Sequence, residues 1–271
     1  MHGKEVVIAP ILRDGLGLDV EVTSGIDTDR FGTFTREIPR VGSQLEAARR
    51  KIEAAFMALP DAEVAIASEG SFSAHPQFPF VSQGREIVLM VDRAQQLELH
   101  GFDESIDTNH AHDVIDASGQ ALDFARRIGF PAHGVVVLGA RDDAPASDLF
   151  AFKDASDDAA LVAAAAHAIR LCGRAHLESD MRAHRNPTRM AAIERATRDL
   201  VQRFKRRCPR CNHPGFDNVE CVSGLPCRAC SFPTALPKAH VMRCSACGHS
   251  LVRPVWQARF AEPMQCGICN P

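Results

Sequence analysis

The chain has 271 residues, 45% hydrophobic and 24% charged, with a formal net charge of −3, the balance of an ordinary globular protein with a core of its own. Its apolar runs, such as Leu161–Ala166 and Gly134–Leu138, are far shorter than the roughly 20 residues of a membrane-spanning helix. The opening Met-His-Gly-Lys-Glu carries no basic-then-apolar leader, so no membrane partner is expected and a cytoplasmic location is the default.

The first clear helix runs from Ser43 to about Met57. Ser43 and Glu46 have capping-box spacing, and Leu45, Ala48, Ile52, Ala55 and Phe56 recur at helical intervals. Val64–Ser68 reads as a short strand ended by Glu69-Gly70-Ser71, and Glu86–Asp92 as a second strand that Leu97–Leu99 can join. Ser118–Ile128 reads as a helix, Gly134–Leu138 as a buried strand, Ser156 to about Leu171 as an alanine-rich helix, and Ala175–Glu178 as a strand. Asn186-Pro187 supplies an N-cap and a first-turn proline for a long helix to about Arg206. Its apolar face is Met190, Ile193, Thr197, Leu200, Val201 and Phe204. Strands mixed with helices predict an α/β (or α+β) domain over residues 1–206, with a mixed sheet and flanking helices.

A cysteine-rich module follows, over residues 207–271. Nine of the ten cysteines lie there, and eight form the pairs Cys208/Cys211, Cys227/Cys230, Cys244/Cys247 and Cys266/Cys269. In a reducing compartment such pairs hold zinc rather than disulfides. Fifteen residues separate Cys211 from Cys227 and eighteen separate Cys247 from Cys266, within the ~15–20 of a four-cysteine zinc ribbon. The expectation is therefore two structural Zn²⁺ in tandem ribbons, each pair joined to the next along the chain. Nested or interleaved pairing closes more awkward loops. Cys221 reads as a buried thiol or alternative ligand, and Cys172 as core.

Residues 203–271 carry ten basic side chains against three acidic ones, +7 before the metals, which leaves −10 for the rest of a chain totalling −3. Eight thiolates and two Zn²⁺ would lower the tail by four. The remaining basic excess suits a soluble surface or attraction to phosphate and nucleic acid.

Three segments outside the tail are dense in polar groups. Asp27-Thr28-Asp29-Arg30-Phe31-Gly32-Thr33-Phe34-Thr35, followed by Glu37, suits a Mg²⁺ and phosphate site, and equally a turn. Glu69-Gly70-Ser71 at a strand end would aim a carboxylate into the crevice where ligands of α/β sheets collect, with Gly70 allowing close backbone approach; a solvent-facing turn is the alternative. Arg182, His184, Arg185 and Arg189 gather around Asn186 at a helix N-terminus. Four cations at the positive end of a dipole call for something negative, and arginine grips phosphate bidentately. Asn109-His110-Ala111-His112 offers a His-X-His pair without matching carboxylates.

Asp-Thr-Asp-x-Phe-Gly-Thr-Phe-Thr, Ala-Ser-Glu-Gly-Ser-Phe, Asp-Met-Arg-Ala-His-x-Asn-Pro-x-Arg-Met and the closing Cys-x-x-Cys-Asn-Pro resemble an uncharacterised bacterial family, domain of unknown function 6671, over nearly the whole chain. The order of elements is also similar to that of the inosine/xanthosine triphosphate pyrophosphatases. That second resemblance makes Lys4, the Ser43–Met57 helix, Glu69-Gly70-Ser71 and Ala183-His184-Arg185 counterparts of the lysine loop, helix, acidic turn and late Ser-His-Arg segment of those enzymes. Ser24-Gly25-Ile26 is similar to a Ser-Gly-Val ahead of their helix. His2 stands where they have asparagine and Ala183 where they have serine, and the cysteine tail is foreign to them.

The function expected is a Mg²⁺-dependent nucleotide or phosphate-ester hydrolase acting on a phosphate-bearing small molecule. Glu69, with Glu37 or the Asp27/Asp29 pair, would hold the metal and Lys4 would neutralise phosphate charge. Gly70, Ser71, Arg182, His184, Asn186 and Arg189 would bind substrate. The rival is a nucleic-acid-binding or protein-interaction module working through Arg203–Arg210 and the ribbons; a homo-oligomer is left open.

Overall fold

The computed structural model describes residues 3–23, 42–255 and 259–271. Asp27, Asp29 and Glu37 of the expected site, and Ser24-Gly25-Ile26, lie outside the described residues. The chain divides into two compact units, Met1–Arg93 with His100–Val201, and Ala94–Leu99 with Gln202–Pro271. The described residues hold five α-helices and three sheets, the expected mixture of helix and strand. No described helix is long and apolar enough to cross a membrane.

The chain opens with α1 (Glu5–Leu16), which the sequence reading missed. Pro10 inside it interrupts the helical pattern, yet Ile8 and Leu12 are buried on one face and Gly17 ends it with φ +70°. Next comes α2 (Gln44–Ala58), whose capping box is present: Ser43 Oγ accepts from the Glu46 amide at 3.2 Å, and Glu46 Oε2 from the Ser43 amide at 2.6 Å. Ala48, Ile52 and Phe56 of α2 bury against Ala65, Ala67 and Leu89. Those last three belong to the hairpin β1 (Val64–Ala74) and β2 (Ser82–Asp92).

The hairpin corrects one expectation. Glu69-Gly70-Ser71 does not end a strand but lies in the middle of β1, in unbroken register with β2 from Val64↔Asp92 to Ala74↔Ser82. Local propensity favoured a turn, but the partner strand supplies the backbone hydrogen bonds that carry β1 through it. The order β1-β2-β3, with β3 spanning Leu97–Ser105, leaves β1 at the sheet edge.

A second sheet has the order β4-β7-β5-β6: β4 (His112–Ile115), β5 (Val135–Arg141), β6 (Ala144–Phe152) and β7 (Ala175–Ser179). Its pairings are all antiparallel, which of the two expected classes is the α+β arrangement. Helices α3 (Gln120–Ile128) and α4 (Asp158–Cys172) bury Phe124, Ile128, Leu161 and Ala165 against Ile115, Val135, Val137 and Leu177.

The last helix, α5 (Pro187–Lys205), follows a 3₁₀ turn at Ala183–Arg185. Asn186 caps it as expected, its Oδ1 accepting from the Arg189 amide at 3.0 Å. The α5 backbone lies directly on β3: a Cβ at Gly101 would stand 2.1 Å from Ala196 O and 2.3 Å from Leu200 N. Backbone on both sides cannot give way as a side chain can. Gly101→Ala is therefore expected to destabilise the protein by about 1–3 kcal/mol or more, read as a lowered midpoint in urea unfolding. An unchanged midpoint would show that the helix slides aside freely.

The second unit is built on a sheet of order β10-β9-β8, comprising β8 (Asp217–Ser223), β9 (Pro237–Arg243) and β10 (Ser250–Pro254). Its small core is Phe216 and Met242 beside Cys208 and Cys244.

Candidate functional site

Within the first unit, charged side chains are buried on both faces of β1. In β2, Glu86 is in phase with buried Val88, Met90 and Asp92, so its carboxylate enters the interior. Arg189 on α5 meets it there, Nε to Oε1 at 2.6 Å, with side chains 0% and 1% exposed. The same guanidinium donates to Met181 O, and its centre lies 5.7 Å from the Phe72 ring centroid. Gly70 makes room for the pair, since a Cβ there would fall 2.2 Å from Glu86 Oε1 and 2.7 Å from Arg189 Nη2. A buried pair of this kind is sustained by its hydrogen bonds rather than by bare attraction.

Lys4 approaches the same strand. Its ammonium donates to Ser68 Oγ at 3.0 Å and to Ser68 O at 3.2 Å. On the α2 side of β1, Glu69 is buried and its Oε1 is held by the Lys51 ammonium, while Gln44 Nε2 donates to the main-chain oxygens of Glu69 at 3.3 Å and Arg85 at 2.9 Å. These groups act on one another through the thin edge strand. Burial, then the Arg189 guanidinium, outweigh the Glu86 carboxylate and pull the Lys4 amine from the usual lysine range down to about 7. Lys51 adds to the pull and Glu69 opposes it.

A second group surrounds the start of α5. Arg182 lies against buried Asp180, Nη2 to Oδ2 at 2.6 Å, and also reaches Asp154 Oδ1 at 2.6 Å. Its guanidinium is held firmly charged because these hydrogen bonds outweigh the burial that opposes charge. Arg185 donates to Ala155 O at 3.1 Å. Asn186, fully buried, donates to Asn109 Oδ1 at 2.8 Å and Asp180 O at 3.0 Å. Burial, and then Arg182, pull the His184 imidazole below its ordinary value. The negative charge that four cations at a helix start demand is thus supplied internally, by Asp180, Asp154 and Glu86.

The structure therefore brings Lys4, Gly70 and Arg189 to one face of the β1–β2 hairpin. Glu69 lies on the opposite face, and Arg182 and Asn186 sit in the neighbouring α5 group. Ser71, partly buried, is paired with Arg85 across the hairpin. Sequence reasoning passed over Lys51, Glu86 and Asp154. Glu86 carried a usable signal, an acid in register with an apolar stripe, which calls for a buried partner.

In the second unit the eight cysteines form two groups, Cys208, Cys211, Cys244 and Cys247, and Cys227, Cys230, Cys266 and Cys269. All eight expected ligands take part, but the expected joining of consecutive pairs is overturned. The first pair joins the third and the second joins the fourth. Spacing could not reveal this, because it measures loop length while β8 and β9 decide which loop ends meet. The sheet sets Cys244, just after β9, into the Phe216–Met242 core beside Cys208.

Each pair sits on a tight turn. The Cys208 amide donates to His213 O at 2.9 Å and Cys244 to His249 O at 2.9 Å. The residue after the second cysteine is left-handed in three of the four turns: Asn212 (φ 61°), Ser231 (φ 62°) and Gly248 (φ 69°). Sulfur–sulfur separations across the pairs are 3.7 Å for Cys208–Cys247, 3.5 Å for Cys211–Cys244, 3.9 Å for Cys227–Cys269 and 3.7 Å for Cys230–Cys266. A tetrahedral metal with bonds of about 2.3 Å to sulfur needs edges of about 3.8 Å, whereas a disulfide needs about 2.05 Å. Each group can hold one metal ion. Among the described residues, no other cluster of three or more His, Cys, Asp or Glu converges in this way.

The basic residues leading into the tail are partly committed. Arg203 and Arg206 both bind Asp217, the former at 2.6 Å, and Arg207 lies over the Phe204 ring at 5.2 Å.

The sequence model of one family, described as a domain of unknown function (DUF6671), matches residues 51–271. No curated protein and no solved structure matches the chain.

Proposed function

The chain belongs to the DUF6671 family, whose description names no reaction, and from that premise we propose that it is a hydrolase of nucleotides or other phosphate esters, with zinc-folded ribbons in its second unit. The observation that carries the reading is the Lys4 ammonium. It lies beside Arg189 and Lys51 and donates to the neutral oxygens of Ser68, with no carboxylate bonded to it among the described residues. Glu86 and Glu69 offset the other two cations. A cation in such a low-dielectric setting suits a phosphate oxygen, whose charge it would stabilise more strongly than water does.

Magnesium would supply Lewis-acid polarisation of the phosphate and an activated water. The described carboxylates do not make a site for it unaided, since Glu69 is held by Lys51 and Glu86 by Arg189. The ion would need to displace Lys51 from Glu69. The support for the reading is accordingly the cations and not a metal cage.

For the tail, four thiolates at tetrahedral spacing suit zinc and leave no position for water, so the metals would fold the unit rather than react.

The test is release of phosphate or pyrophosphate from a panel of nucleotides with and without Mg²⁺. Turnover is expected, falling by about a hundredfold in Lys4→Met, as for loss of one electrostatic group. Silence across the whole panel, or full turnover in Lys4→Met, would end the proposal.

A further inference from the structure

The two metal groups are alike at their sulfurs, each burying two of its four cysteines, and unlike in what surrounds them. In the first, the Cys244–Cys247 turn joins β9 to β10, and β9 is paired with β8 on its other side. The register sets Asp217 and Ser250 both opposite Arg243, the residue before Cys244. Phe216 and Met242 are buried against Cys208 and Cys244, and the Phe216 ring stacks on His249 with centroids 5.9 Å apart. Sheet and core thus pre-position both halves of this group. The second group has a looser shell. Its first half, Cys227/Cys230, sits in the β8–β9 connection, tied back by Leu225 N to Leu236 O at 3.1 Å and Thr234 N to Leu225 O at 3.0 Å. Its second half, Cys266/Cys269, meets the first through two backbone hydrogen bonds, Ala261 N to Pro226 O at 2.8 Å and Arg228 N to Ala261 O at 2.9 Å. The Arg228–Glu262 ion pair also joins them, but its side chains are 63% and 53% exposed, so it contributes little. Leu225 and Ala261, the latter bridged to Cys227, are buried. The bulkier Phe232, Phe260, Met264 and Ile268 on this group's turns are 43% to 76% exposed.

We propose that the two sites differ in kind: zinc in the Cys208 group is a permanent part of the fold, and zinc in the Cys227 group is exchangeable, so that Cys266/Cys269 dock and undock with the supply of the ion. This rests on the zinc reading of the tail given above and goes beyond it by assigning one site to metal response. Binding at a pre-positioned site has few ligands left to order. Binding at the second group must also order the segment from Ala261 to Asn270, and that cost is subtracted from its affinity. A segment held by few buried contacts opens locally at low free energy. The exposed shell also admits water and a competing ligand to the sulfurs. No electrons move in the release: the zinc–sulfur bonds break with both electrons left on sulfur, the ion passes to an acceptor ligand in solution, and the thiolates take protons from solvent.

The test uses the whole protein, reduced and loaded with Zn²⁺, in competition with a chromophoric pyridylazo chelator that counts the ions as they leave. One of the two ions is expected to leave at least about tenfold faster than the other, the scale on which the surroundings of a metal site change its affinity. N-ethylmaleimide added between the two phases is expected to label Cys227, Cys230, Cys266 and Cys269 and to spare Cys208, Cys211, Cys244 and Cys247, as mapped by mass spectrometry. The paired substitution Cys266→Ser with Cys269→Ser is expected to abolish the fast phase and to leave one ion per chain, released at the slow wild-type rate. Release of both ions in a single phase, labelling that begins in the Cys208 group, or a fast phase that survives the paired substitution would overturn the inference and leave the zinc reading intact. The labelling is read on the wild-type protein, so it decides the matter even if the paired variant does not fold. A chain that takes up no zinc at all overturns both.

Discussion

Replacing Cys208 and Cys211 by serine is expected to leave one metal ion per chain and to expose Cys244 and Cys247, not Cys227 and Cys230, to alkylation. The groups Cys208–Cys211–Cys244–Cys247 and Cys227–Cys230–Cys266–Cys269 share no ligand, so loss of one pair strips one site. A structural zinc site contributes on the order of 10–16 kcal/mol of binding free energy at neutral pH, more than the total stability of most domains. The first group also lines the only core formed around Phe216 and Met242 among the described clusters, so this variant should lose its cooperative thermal transition in the second unit. The outcome that would reject interleaving is protection of Cys244 and Cys247 with alkylation at Cys227 and Cys230, as consecutive pairing requires. Metal content by elemental analysis and mass-spectrometric mapping of modified cysteines give both answers from one sample.

Arg189→Ala is expected to cost about 3–5 kcal/mol, because it leaves the Glu86 carboxylate buried and uncompensated. Both side chains are inaccessible, at 0% and 1% exposed, so the carboxylate has no bulk water to turn to when its partner is lost. The same change frees Met181 O, which the guanidinium also satisfies. A double variant, Arg189→Met with Glu86→Leu, should recover much of the loss, since no charge then needs a partner. Urea unfolding of the two variants and the wild type reads this directly. A cost below about 1 kcal/mol for Arg189→Ala would mean that Glu86 finds another cation, such as Lys4, whose amine it already influences. The double variant also asks whether the pair is retained for stability or for holding Lys4 beside it.

Several features were legible in the residues themselves because their causes are local. The Ser43 capping box and the Asn186-Pro187 start of α5 depend on neighbours within one helical turn. The eight cysteines able to hold metal were legible for the same reason, since a Cys-X-X-Cys turn forms its half of a site alone. Helix α1 was hidden by Pro10, and β1 by Ser-Glu-Gly-Ser, where a neighbouring element overrides what the segment would do in isolation.

The sequence by itself determined the caps of α2 and α5, the eight cysteines that can hold metal and the family to which the chain belongs. Tertiary structure alone decided which cysteine pairs meet, which face of β1 each charge takes, and which acids answer the arginines around Asn186. The physical reason is distance along the chain. Caps and turns are settled over three or four residues, whereas Arg189 finds Glu86 103 residues away and Cys208 finds Cys247 39 residues away, and contacts of that span are chosen by how sheets and helices pack.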